Sequence, residues 1–237
     1  MDKVKATVVT ATIGRPELLR AVRSVYNQTE KDYQHLIIVD GEQYRHRVEN
    51  ILTVFGSTYP KDKINVVVLP YSLGGYGGPA YSIGPAISVG KYVCNLDDDN
   101  WLEPNHLESL FDAMDANGSP AWAYTLRNIA VDGKIVCRDE CESMGYLRTV
   151  WSRPKEHHID TGAFFLPRST AVEMAHNWQH GEATINDRLF YASLKERHPN
   201  YTCTNKYTYN YSTTLGGKVD PRYFIEGNKS VVPNIIA

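Results

Sequence analysis

A chain of 237 residues, 42% apolar and 22% charged, has ordinary globular composition, which excludes a disordered, collagen-like or dedicated coiled-coil chain. Lys and Arg number 25 against 27 Asp and Glu, a net charge of −2, so no basic excess marks a nucleic-acid binder. No apolar run approaches the roughly 18 residues of a membrane span, and the opening Met1-Asp2-Lys3-Val4-Lys5 lacks the apolar core of a signal peptide. A cytoplasmic protein is expected. The four cysteines, Cys94, Cys137, Cys141 and Cys203, lack flanking ligands with zinc-site spacing and read as reduced structural thiols.

The β-branched run Val4–Thr10 predicts a buried strand. Gly14-Arg15-Pro16 then opens a helix that carries Leu18, Leu19, Val22 and Val25 at helical spacing. A second strand, Leu36–Val39, stops at Asp40-Gly41, and a helix through Val48, Ile51, Leu52 and Phe55 follows. The third strand is Ile64–Leu69. A glycine-rich loop, Ser72–Pro79, leads to a short helix through Ile83 and Ile87. The fourth strand, Tyr92–Leu96, runs directly into Asp97-Asp98-Asp99-Asn100. Strand–helix alternation of this kind predicts an α/β fold with a mostly parallel central sheet and helices on both faces. Ligands bind such sheets at the carboxyl ends of the strands, where Asp40 and Asp97–Asp99 fall.

The second half reads differently. A helix is expected at Asn105–Met114, and a hairpin at Ala121–Val131 and Lys134–Cys137 about the Asp132-Gly133 turn. A strand is expected at Thr161–Leu166, with helices around Ser169–Trp178 and Ile185–Arg197. From Thr213 onward Gly216, Gly217, Pro221 and Pro233 suggest an irregular tail. With no repeat or linker, a single domain over 1–237 is expected. Its parts are a nucleotide-binding half (1–100), an acceptor-binding half (101–212) and the tail (213–237).

Several clusters could carry chemistry. Three adjacent carboxylates repel one another. Such a triplet suits a hard cation shared with substrate phosphates, or else a solvated loop. The glycine-rich loop matches neither phosphate-loop pattern; it is a flexible connection or a mobile loop near phosphates. Asp187 after Asn186 is either a general base or a helix-start carboxylate. His158 and Asp160 would share one side of an extended segment. The 16 tyrosines suit stacking on sugars or bases as well as ordinary packing.

Together these residues resemble the inverting nucleotide-sugar glycosyltransferases of family 2, which have the GT-A fold. The resemblance runs from about Val4 to Leu194. It rests on Ala11-Thr12-Ile13-Gly14-Arg15-Pro16, on Ser24-Val25-Tyr26-Asn27-Gln28-Thr29, on Asp40, and on Ala80-Tyr81-Ser82 with Gly84 and Gly90-Lys91-Tyr92-Val93. The Asp-x-Asp metal motif falls on Asp97-Asp98-Asp99. Asp98-Asp99-Asn100, Trp151 with Ile159-Asp160, and Asn186-Asp187 resemble the spore-coat polysaccharide transferase type most closely. The resemblance implies transfer from a UDP-sugar, or a dTDP-sugar, to a saccharide or glycoconjugate hydroxyl, with Mn²⁺ or Mg²⁺ and inversion. It implies Asp187 as base and Asp99, with Asp97, as metal ligands. Thr12, Arg15, Asp40, Asp97 and Asp98 would meet the nucleotide. Trp151, His158, Asp160 and Asn186 would meet sugar or acceptor. Two departures stand out: Ile13 replaces an aromatic residue near the base, and Tyr81 an arginine near the pyrophosphate. Arg15, Lys218 or Arg222 could supply the missing charge. The rival readings are a non-catalytic nucleotide- or sugar-binding module on this fold and a sugar nucleotidyltransferase. The latter's glycine-rich loop should follow the first strand, where only Gly14 stands.

Overall fold

The computed structural model describes residues 4–55, 62–116, 118, 120–179 and 185–231. Strands β1 (Ala6–Thr12), β2 (Tyr33–Val39), β3 (Ile64–Val68) and β4 (Tyr92–Asn95) alternate with helices α1 (Leu18–Tyr26), α2 (Arg45–Phe55) and α3 (Gly78–Ile87). All four strands are parallel, in the order β3-β2-β1-β4. Every residue of β1 and β2 is buried, as expected of parallel strands covered on both faces. Their polar side chains are paired within the sheet: Thr7 Oγ1 donates to Gln34 Oε1 at 2.8 Å, and Thr10 Oγ1 lies 2.9 Å from His35 Nε2. Burial pushes His35 down to about 3, so it stays neutral.

The chain continues through β5 (Trp101–Leu102), α4 (His106–Ala116), β6 (Trp122–Val131), β7 (Lys134–Arg138), β8 (Phe164–Pro167), α5 (Arg168–Met174), α6 (Asn186–Arg197), β9 (Tyr201–Thr213) and α7 (Pro221–Val231). The sheet extends past β4 as β8-β6-β9-β5, with β7 on β6. β4/β8, β8/β6, β6/β7 and β9/β5 are antiparallel and β6/β9 parallel, so six of the nine strands among the described residues point one way. β6 joins the halves: its start pairs with β8, its end with β7, and its length with β9. The consecutive residues Val8 and Val9 belong to different core clusters, because neighbouring strand residues face opposite sides. Thus one sheet separates two apolar layers.

The elements differ from expectation at several places. Tyr201–Thr213, whose tyrosines read as loop residues, is the long strand β9 along β6. Thr161–Ala163 is a short 3₁₀ turn, and β8 begins only at Phe164; Asp160 caps the turn by accepting from Gly162 N at 3.2 Å. The tail is not irregular throughout, since Pro221–Val231 is helical. Pro221 is tolerated in a first helical turn, where its missing N–H has no partner to lose, and Phe224 is anchored against Ile129 and Cys141. Residues 232–237 lie outside the described residues.

Gly90 is where β1 and the turn before β4 come closest. A Cβ there would lie 2.4 Å from the carbonyl carbon of Ala6 and 2.5 Å from Thr7 N, both backbone atoms that cannot rotate away. We expect Gly90→Ala to destabilise the fold by about 2–3 kcal/mol in urea denaturation; a loss below about 0.5 kcal/mol would show that this contact relaxes freely.

Candidate active site

At the carboxyl ends of β1, β2 and β4 a cleft of about 1080 Å³ opens. Asp40 ends β2 on one side of it. Its carboxylate accepts from Ser72 Oγ (2.8 Å), Leu73 N (2.7 Å) and Gly74 N (2.9 Å). The start of the glycine-rich loop is therefore tied to the sheet, not a free connection. Farther along that loop, Tyr76 takes the left-handed conformation with φ 52°. Ile13 and Tyr44 both line the cleft.

The acidic triplet forms the floor. Asp98 is buried, 2.5 Å from Arg15 Nη2, and accepts from Thr12 Oγ1 at 2.6 Å. Asp97 is only partly buried. It accepts from Tyr81 Oη at 2.5 Å, Asn100 Nδ2 at 3.1 Å and Tyr209 Oη at 3.4 Å. Burial, helped by the charges of Asp99 and Asp160, pushes Asp97 up to about 8. Asp99 remains 32% exposed and is 2.7 Å from Arg15 Nη1. Its oxygens are hard donors facing the cleft, which suits Mg²⁺ or Mn²⁺. Of the two expected metal ligands, Asp99 could hold a cation. Asp97 instead spends its oxygens on Tyr81, Asn100 and Tyr209.

Across the cleft, His158 Nε2 lies 3.4 Å from Asp187 Oδ2. Ligating atoms of His158, Asp160 and Asp187 all fall within 4.8 Å of one another, a spacing that would admit a cation. Both Asp160 oxygens are already engaged, by Arg127 Nη1 and Gly162 N. Burial, and then the charges of Arg127, Arg188 and Arg153, hold His158 well below its usual range, so its imidazole is neutral. Asp187 opens α6 and accepts from Arg188 N at 2.8 Å. Burial, then the Asp160 charge, pushes it up to about 7 against the pull of Arg188 and Arg127. A carboxyl poised near neutrality is suited to proton transfer.

Thr12, Arg15, Asp40, Asp97–Asp99, His158, Asp160, Asn186 and Asp187 thus line one cleft. Thr12 and Arg15 are engaged with Asp98 and Asp99, while Asn186 Nδ2 donates to Trp178 O at 3.1 Å. Trp151 is the exception. It lies behind the cleft wall, its ring 5.4 Å from Tyr223. Helix α7 covers it so closely that a Cβ on Gly227 would lie 2.5 Å from its Nε1. Covered by helix α7, Trp151 does not line the cleft. Sequence reasoning missed Arg127 and Glu142, which line the cleft with Tyr211 and Tyr223, two of the tyrosines read as suited to stacking. The available signal was a single Arg within the apolar run of β6, since a buried charge requires partners.

Tyr81 does not take over the charge of an arginine; it binds Asp97. We expect Tyr81→Phe to cost about 1–2 kcal/mol in chemical denaturation, because a partly buried carboxyl loses the donor of a buried tyrosine. That bond favours the charged carboxylate, and Asp97 ionises only around 8. The loss should therefore be larger at about pH 9 than at about pH 6.

Glycosyl transferase family 2 matches residues 7–173. An uncharacterised glycosyltransferase of Methanocaldococcus jannaschii is 31% identical over 119 residues, 49% of this chain and 39% of that protein. The hyaluronan synthase of Pasteurella multocida is 26% identical over 226 residues, 90% of this chain and 21% of that protein. The structure of S. aureus TarS (residues 1–349) in complex with UDP-GlcNAc has a TM-score of 0.65 at 14% identity, over 94% of this chain and 64% of that one. The latter likeness is one of fold. The chain spans less than two thirds of each of these relatives. With the family match covering most of its length and the sheet ending in an acidic cleft, the chain belongs to glycosyl transferase family 2, on an α/β GT-A-like fold.

Proposed function

We propose that this protein moves a sugar from a nucleoside-diphosphate sugar to a hydroxyl of a saccharide or glycoconjugate, in the cytoplasm, with inversion. The observation that carries the reading is the single cleft. It faces Asp40 and Asp97–Asp99 on one side and Asp160 and Asp187 on the other, a donor half opposite a base. The UDP-GlcNAc bound to TarS supports UDP as the first donor to test, with dTDP second. Asp98-Asp99-Asn100 and Asn186-Asp187 favour the spore-coat type, although Trp151 no longer supports it.

In this reading the base lies beside Asp40, where Tyr44 could stack in place of the aromatic absent at Ile13. Asp99 is the residue to hold Mn²⁺ or Mg²⁺, which would stabilise charge on the departing diphosphate. Among the cleft-lining cations, Arg15, Arg127 and Arg188 already face carboxylates. Arg222 is spent on Asp220, at 2.7 Å. Lys218 lines the cleft with no carboxylate within ion-pair distance among the described residues; its Nζ stands 5.1 Å from the Tyr76 ring. It is the cation suited to the diphosphate. Asp187 takes the acceptor hydroxyl proton as that oxygen bonds to the anomeric carbon. The bond to the diphosphate oxygen breaks, and its electron pair leaves with the nucleotide. Attack opposite the leaving group inverts the configuration.

Calorimetric titration of UDP, dTDP and GDP, with and without Mn²⁺, should show metal-dependent binding of UDP or dTDP. Lys218→Ala should weaken it about tenfold. No binding of any nucleotide would overturn the reading in favour of a non-catalytic module. Asp187→Asn should bind UDP normally yet lose about 10²–10⁴ in transfer rate; full activity would refute the base assignment. Because the base must be unprotonated, wild-type kcat/KM should fall as pH drops through about 7.

A further inference from the structure

We propose that Arg127 is a positioning residue for the reaction: its single guanidinium fixes Asp160 as a negative charge beside Asp187. This rests on the reading of Asp187 as the base. Arg127 projects from β6 and is 2% exposed. Its Nε donates to Asp139 Oδ2 at 2.8 Å, its Nη2 to Glu142 Oε2 at 2.7 Å, and its Nη1 to Asp160 Oδ2. The rings of Tyr211 and Phe224 lie 4.5 Å and 5.2 Å from the guanidinium carbon. No rotation of this fork preserves all three bonds.

The partners are themselves held. Asp139 accepts from the backbone N–H groups of Cys141 (3.1 Å), Glu142 (2.9 Å) and Ser143 (3.0 Å). Ser143 Oγ then accepts from Asp160 N at 2.8 Å. Asp160 is thus gripped through its amide by the 139–143 loop and through its carboxylate by Arg127. Neither grip touches the acceptor's proton. What they secure is the distance between two carboxyls, whose ligating oxygens fall within 4.8 Å together with His158.

The groups facing Asp187 are His158 and Asp160 from the segment before β8, Arg188 from its own helix, and Arg127 from β6. Glu142, Glu156 and Arg153 stand behind Arg188. His158 is held neutral. Of the charged neighbours, Asp160 opposes ionisation of Asp187, while Arg188 and Arg127 favour it. Three carboxylates share one guanidinium, so Arg127 places the Asp160 charge without cancelling it. A fixed anion at this distance raises the proton affinity of its neighbour, bringing a partly buried aspartate toward the pH at which a base is useful. A lysine could not substitute, since one ammonium cannot present three fixed N–H directions to three carboxylates.

The test uses the full chain labelled with ¹³C-carboxyl aspartate, without added metal. The Asp187 resonance is identified by its loss in Asp187→Asn and titrated by NMR. In Asp160→Asn its midpoint should move to lower pH by about half a unit or more. Arg127→Lys, which keeps the charge but loses the fork, should shift it in the same direction. An unchanged midpoint in Asp160→Asn overturns the inference, and that variant decides if Arg127→Lys does not fold. Full transfer activity in Asp187→Asn would instead overturn the base assignment while leaving any measured coupling in place.

Discussion

The structure depends on solving one electrostatic problem. Eight carboxylates line the same cleft among the described residues: that of Asp220, paired with Arg222, and those of Asp40, Asp97, Asp98, Asp99, Glu142, Asp160 and Asp187. Left alone they would repel one another and the fold. Each is handled by a different device. Asp98 and Asp99 share Arg15. Asp97 is covered by hydroxyls and an amide. Asp40 turns its charge to backbone amides. Glu142 and Asp160 share Arg127, and Asp187 faces Arg188. The acidity that could capture a cation is left nearest the surface, at Asp99.

Much of this was legible beforehand for a physical reason. Buried parallel strands carry continuous β-branched runs, and each of the first four strands ends at a turn residue or a charge. The helix–strand order and the placement of Asp40 and Asp97–Asp99 at strand ends follow directly from that. The second half was harder. β6 pairs with β8, β9 and β7, and none of those partners is set by local pattern. Helix α7 was hidden because Gly216, Gly217 and Pro221 are ordinary loop residues until Phe224 has a core to enter. Trp151 was misplaced for the same reason: its environment is made by that helix. The partners of Tyr81 and Arg127 were equally out of reach, because both bonds span strands distant in sequence.

β6 carries a functional load beyond pairing. At its start Tyr124 Oη donates to Met144 O at 2.8 Å, steadying the loop below Asp160. Three residues on, Arg127 gathers Asp139, Glu142 and Asp160. Its parallel partner β9 supplies Tyr209 to Asp97 and Tyr211 to Arg127. One strand pair thus braces the Asp97 floor and the Asp160 wall of the cleft, and a shift in its register would disturb both.

The Asp40 clamp has a consequence for selectivity. A carboxylate offers about four acceptor positions, and three are already occupied by Ser72, Leu73 and Gly74. If the donor's base meets Asp40 as proposed, one presenting a single donor would use the vacancy, while one presenting two would displace the loop and lose the bonds it had made. The end of β2 would then act as a counting device, grading bases by how many hydrogens they present to the glycine-rich loop's anchor.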